Sequence, residues 1–177
     1  MTVIVAVGSS AAALAAKAAT ATIPIVFGIA GDPGQLGLVA SLNRPGGNVT
    51  GITTLNVELE PKRLELLHEL APTAATIAVL LNPTNPTAAI AAKDLQAAAK
   101  ALGLQIHFLQ AIDESEIEAA FASIGRLGAG ALMIDPDPFF NGRTQRLAAL
   151  ATRYAIPATY SLRDFAAAGG LMSYEGR

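Results

Sequence analysis

TIAVLLNPTNP, residues 76–86, and ALMIDPDP, residues 131–138, decide the fold. Each holds a short run that is apolar at successive positions and stops at an Asn or Asp, with proline and a helical pattern after it. Apolar residues at every position, rather than at alternate ones, mark a strand covered on both faces. The Asn and Asp side chains cap the next helix, and a proline in the first helical turn loses no hydrogen bond there. Strand, capped turn and helix together make the repeating unit of a parallel α/β sheet.

Outward from these two stretches the same unit recurs along the chain. Strands are expected at residues 3–7, 23–27, 49–52, 76–81, 105–109, 131–134 and 157–160. Between them the apolar spacing turns helical. Ile117, Ala120, Phe121 and Ile124 follow the i, i+3, i+4, i+7 pattern, and Leu147, Leu150, Ala151 and Tyr154 repeat it, which places Tyr154 in the core. Asp113 and Glu116 have the spacing of a capping box. Ala91, Leu95, Ala98 and Leu102 form a third stripe in a helix opened by Asn85 and Pro86, and Leu59, Leu66, Leu67 and Leu70 form a fourth.

Charge is distributed unevenly. Lys17, Asp32 and Arg44 are the only charged residues before Glu58, after which charges are frequent. This break suggests a partial first lobe at residues 1–54, a second lobe at 55–171, and a strand at 172–177 that crosses back toward the first. Two or three strands and one helix are too few to cover a sheet, so the first lobe is expected to leave an apolar face or edge open to self-association.

Composition excludes several functions. The 177 residues are 52% hydrophobic and 15% charged, with a net charge of −2 and no cysteine. Isolated Lys and Arg residues provide no basic stripe for a phosphate backbone, so no nucleic-acid partner is expected. Disulfides, thiolate metal sites and a cysteine nucleophile are excluded. The chain has no phosphate-cradling GxxxxGKS/T, no GxGxxG after a strand and no GxSxG elbow. His68 and His107 have no second histidine nearby and are assigned structural roles, so neither cofactor nor metal is expected.

In a parallel α/β sheet, ligands bind beyond the carboxyl ends of the strands. The polar residues at those junctions are Ser9 and Ser10 in GSSAA, Asp32 after the second strand, Asn82 and Asn85 in NPTNP, Asp135 and Asp137 in IDPDP, and Tyr160 with Ser161. Asp137 is read as a helix cap, which leaves the Asp135 carboxylate free for a ligand. The start of the GSSAA helix is suited to an anion.

Taken in order, VIVAVGSSAA, IPIVFGIAGDPGQLGLVASLNRPGGNVTGIT, KRLELLHELAP, IAVLLNPTNP, ALMIDPDPFF and IPATYSLRDFAAAGGLMSYE resemble the ABC-transporter substrate-binding family that includes bacterial lipoproteins binding tryptophan and other aromatic amino acids. The resemblance implies a type I periplasmic-binding-protein fold of two Rossmann-like lobes with parallel sheets, the first lobe incomplete and the sequence shortened at both ends. It further implies a non-catalytic protein that traps a small-molecule solute, an amino acid and aromatic by preference, and delivers it to the permease subunits of an importer. The location would be periplasmic or extracellular, with a lipoprotein anchor absent from this chain as the only tie to the membrane. Carried over by position, the cleft would be lined by Ser9, Ser10, Ala30 and Asp32 on the first lobe, and by Asn82, Asn85, Asp135, Phe139 and Tyr160 on the second. Asp135 would then receive a ligand ammonium. Two alternatives stand beside this reading. One is a metal-dependent DxD enzyme built on Asp135 and Asp137, such as a nucleotide-sugar transferase; the other is the sensor domain of a regulator of the lactose-repressor type.

Overall fold

The computed structural model describes residues 2–176, so the outermost positions of the expected lobes, Met1 and Arg177, lie outside the described residues. The chain runs β1 (Ile4–Val7), α1 (Ser10–Ala19), β2 (Ile25–Ile29), β3 (Val49–Thr53), α2 (Glu60–Leu70), β4 (Thr76–Leu81), α3 (Ala88–Leu102), β5 (Gln105–Gln110), α4 (Glu114–Ser123), β6 (Ala131–Ile134), α5 (Pro138–Asn141), α6 (Thr144–Arg153), β7 (Ala158–Tyr160), α7 (Arg163–Ala167) and β8 (Met172–Ser173). A strand stands at every place the apolar runs indicate. They form two sheets, parallel throughout, in the orders β1-β2-β3 and β5-β4-β6-β7-β8.

The continuous apolar runs are explained by the larger sheet. Ile77 and Val79 of β4, with Ala131 and Met133 of β6, pack against Leu64 and Leu67 of α2 and Leu95 and Ala99 of α3. Their neighbours Ala78, Leu80, Leu132 and Ile134 point the other way, into Ile117 and Phe121 of α4, Leu147 and Leu150 of α6, and Phe165 of α7. Alternate residues of one strand thus enter two different cores.

The smaller sheet is covered on one face. Ala6, Ile25, Phe27 and Val49 pack against Ala13 of α1 and against Leu38 and Val39. On the opposite face Val5 pairs in register with Val26, and Gly28 pairs with both Val7 and Ile52. Val5, Val7 and Ile52 are 66%, 69% and 75% exposed there.

Four details depart from the sequence reading. The buried face of α2 is Glu60, Arg63, Leu64 and Leu67, while Leu70 is exposed. The helix is rotated so that two charged side chains face the end of β6. Asn85 does not cap α3, which begins at Ala88 with Thr87 in the cap position. Asn85 and Pro86 instead form a turn, in which Asn85 Oδ1 accepts from Thr87 N at 3.2 Å. Tyr154 lies just beyond the end of α6, exposed on one side and packed on Phe121 with ring centroids 5.8 Å apart. Met172 and Ser173 do not leave the second sheet: β8 extends it, pairing with β7. The capping box at α4 holds in altered form. Asp113 Oδ1 accepts from Glu116 N at 2.9 Å, and Glu116 Oε2 accepts from Ile112 N, one residue earlier than the motif requires.

The difference between doubly and singly covered sheets can be measured. Leu80→Ala empties a fully buried site and is expected to cost about 2–5 kcal/mol in urea unfolding. Ile52→Ala, on the open face, should stay within about 0.5 kcal/mol of the parent.

Candidate ligand-binding cleft

The carboxyl ends of both sheets meet at one cleft, which holds two adjoining hollows. Gly8, Ser10, Ala30, Asn56, Asn85, Thr87, Asp137, Asn141 and Ser161 contribute to the first. Ser9, Asn82, Thr84, Asn85, Asp137 and Phe139 contribute to the second. The walls approach closely at Gly31, where an added Cβ would stand 2.9 Å from Thr87 Cγ2 across the cleft.

Asp137 is the centre of the second wall. Its Oδ1 accepts from Phe139 N at 2.8 Å, as the sequence reading of a cap requires. The same oxygen accepts from Asn82 Nδ2 at 3.3 Å, and Oδ2 accepts from Asn85 Nδ2 at 3.0 Å. Each asparagine also closes its own turn: Asn82 Oδ1 receives Thr84 N at 3.0 Å, and Asn85 Oδ1 receives the Thr87 hydroxyl at 2.9 Å. The NPTNP and IDPDP turns are therefore tied together by one carboxylate. Among the described residues Asp137 is the only charged one lining either hollow.

Of the nine expected site residues, Ser9, Ser10, Ala30, Asn82, Asn85 and Phe139 line the cleft. On the first wall Ser9 caps α1 by accepting from Ala12 N at 3.3 Å, and Ser10 lies beside it. The Phe139 ring carries the Arg143 guanidinium 3.8 Å from its centroid. Asp32 is occupied with its own turn, accepting from Gly34 N at 2.6 Å and Gln35 N at 3.2 Å, and lines neither hollow. Tyr160 is fully buried behind the wall, and its hydroxyl donates to Asn141 Oδ1; burial keeps the phenol protonated. Asp135 is also fully buried and lines neither hollow. The strand-end position read correctly, but the side chain one residue past a buried strand continues into the core. Asp135 and Asp137 thus have separate surroundings, which removes the arrangement a DxD metal site needs. Among the described residues no group of three or more His, Asp or Glu is placed to hold a metal ion.

Asn56, Thr87, Asn141 and Ser161 line the cleft without having been singled out as ligand contacts. Asn56 and Ser161 follow β3 and β7, so the strand-end rule applied to every junction finds both. No local signal marks Thr87 or Asn141.

The sequence profile for ABC transporter substrate binding proteins matches residues 1–176. The chain belongs to this family. It is 30% identical over 165 residues to the tyrosine-binding protein of Clostridioides difficile strain R20291, covering 92% of this chain and 46% of that protein. Among solved structures it is similar to an ABC domain from Streptococcus pneumonia in complex with L-Trp, with 23% identity, a TM-score of 0.82, and coverage of 95% of this chain and 57% of that one. A conserved domain protein from Vibrio cholerae gives 26% identity and a TM-score of 0.84, over 95% of this chain and 55% of that one. The chain spans about half the length of these relatives.

Beneath the cleft of this family member lies a buried charge cluster. Glu60, Arg63 and Asp135 are each fully buried, and neither carboxyl receives a hydrogen bond from a fixed donor. A hydrogen bond between Glu60 and Asp135 requires one of them to carry a proton. Burial pushes Glu60 well above its ordinary value, and the Asp135 charge pushes it further. Burial raises Asp135 to about 7, against the hydrogen bond from Glu60 that favours its carboxylate. The pair titrates as a unit, with the first proton held on Glu60.

Both carboxyls ionise near about 4 in an unfolded chain, so between that value and about 7 the folded state binds more protons. The stability that Asp135 contributes is whole below about 4 and is lost as pH rises through about 7. Urea midpoints are accordingly expected to fall as pH is raised from about 5 to about 8. Asp135→Asn should flatten that slope. A parent midpoint that rises across the same interval would show that the cluster holds no extra proton.

Proposed function

We propose that this chain carries the cleft of the solute-binding component of a bacterial ABC importer, and that its ligand is an amino acid with an aromatic side chain. The observation that carries the reading is Asp137, the single charge among the described residues of a cleft otherwise lined by hydroxyls, amides and apolar groups. A closed cleft strips water from a ligand ammonium, and a fixed carboxylate then becomes its strongest partner. The first wall has the complementary character. The start of α1, with Ser9 and Ser10, faces the ligand carboxylate with hydroxyls and the positive end of a helix. Phe139, stacked on one face by Arg143, receives the aromatic ring.

The tyrosine-binding relative and the L-Trp complex agree with this assignment. The ammonium contact passes from Asp135, where sequence order placed it, to Asp137. As in an importer, the protein would work outside the cytoplasmic membrane, in the periplasm or as a surface lipoprotein, deliver solute to permease subunits and catalyse no reaction. On this reading no metal or cofactor takes part. The open face of the smaller sheet supports self-association of the chain through Val5, Val7 and Ile52.

Calorimetric titration with L-tyrosine and L-tryptophan tests the reading, set against tyramine, which lacks the carboxylate, and indole-3-propionate, which lacks the ammonium. The amino acids should bind and both analogues should lose most of the affinity. Asp137→Asn is expected to weaken binding by roughly 30-fold or more, the loss that comes with removal of one partner from a desolvated charge pair. Asp135→Asn should weaken it far less. Indole-3-propionate bound as well as tryptophan, with Asp137→Asn indifferent to both, would reject the ammonium contact.

A further inference from the structure

Two stretches of chain pass side by side between the sheets. Residues 54–59 lead from β3 to α2, and residues 174–176 come after β8. The first is anchored to the smaller sheet, where Thr54 N donates to Ile29 O at 3.1 Å and Val57 N to Ala30 O at 3.2 Å. The second is anchored to the larger sheet, where Tyr174 N donates to Tyr160 O at 3.1 Å. They touch each other closely. Gly176 N donates to Asn56 Oδ1 at 2.7 Å, and a Cβ at Gly176 would stand 2.5 Å from Thr54 O.

Arg63 reaches both from the first turn of α2. One terminal nitrogen of its guanidinium donates to Tyr174 O at 2.9 Å and the other to Asn56 O at 2.5 Å. A planar fork with two donors fixes two carbonyls relative to one another, which a point charge cannot do. Asn56 is at the same time part of the cleft lining. We propose that Arg63 is a positioning residue for ligand capture: by gripping the carbonyls of Asn56 and Tyr174 it locks the two crossings together and sets the spacing of the cleft walls.

The Glu60 and Asp135 carboxyls stand behind the guanidinium and balance its charge. With one proton between them the cluster is neutral; with none it carries a net negative charge in the core. The other groups acting on the cluster are Asp94 on Glu60, Asp137 on Asp135, and Tyr160 and Tyr174 on Arg63. All four are neutral or negative, and none supplies a second cation.

The link to ligand capture rests on the function proposed above, but the position of the walls can be read without a ligand. The chain has no cysteine, so Thr22→Cys and Ala122→Cys, both exposed and on opposite sides of the cleft, accept one nitroxide each. Pulsed dipolar spectroscopy of the otherwise unaltered chain should give one narrow distance distribution. Arg63→Met should give a broad one that reaches longer distances, with its circular dichroism unchanged. Arg63→Lys keeps the charge without the fork and should be intermediate; it decides the matter if Arg63→Met does not fold. A parent-like distribution in the Arg63 variants overturns the clamp. That result leaves the amino-acid titrations untouched, so failure here is distinct from failure of the functional reading.

Discussion

The carboxylate of Asp137 is the constraint on which the cleft depends. The parallel pairing of β4 with β6, in register at Leu80 and Ile134, delivers two proline-bearing turns to the same level. Nothing in that pairing fixes the turns to each other. Asp137 does so by accepting the side-chain amides of Asn82 and Asn85 while capping the short helix that comes after it. Hydrogen bonds to a charged acceptor contribute about 1.5–3 kcal/mol each, more than neutral ones. They also turn the asparagine oxygens outward to Thr84 and Thr87, so that a single negative charge orders a whole wall. Because the donors are neutral amides, the charge is spread but not cancelled.

The second wall depends on the first through the joint. Arg63 is buried in the second half of the molecule, but it holds main chain passing between the halves. Breaking a buried pair by removing one member leaves an uncompensated charge, which is why such clusters resist piecemeal change. Here the surplus carboxyl is accommodated by keeping a proton, and α2 turns its charged side inward at a place where its leucines predict otherwise.

That inversion shows where sequence reading works and where it stops. The strands were legible because a segment buried on both faces must be apolar throughout, and β4 and β6 are. The caps at Ser9, Asp113 and Asp137 were legible because their geometry is local. The buried face of α2 was not, since a neutralised cluster of Glu60, Arg63 and Asp135 has the composition of a solvated surface. Asp135 and Asp137 were placed at the right end of the right strand and given each other's surroundings. Two residues separated by a proline differ in direction by dihedral angles that residue type does not report. Tyr160 failed for a related reason: the last residue of β7 points inward, and Ser161 after it faces the cleft.

Asn56 has a consequence for how such a protein changes its diet over evolutionary time. Its side chain lines the cleft and receives Gly176 N, while its carbonyl lies in the grip of Arg63. One residue is both a surface the ligand can meet and a bearing on which the halves are set. Replacing it to suit a new solute would disturb the bearing as well, so variation there is doubly penalised. Phe139 carries no such second duty in its side chain. Divergence in the cargo should therefore accumulate on the Phe139 side of the cleft, leaving the Asn56 side nearly constant across paralogues that transport chemically different solutes.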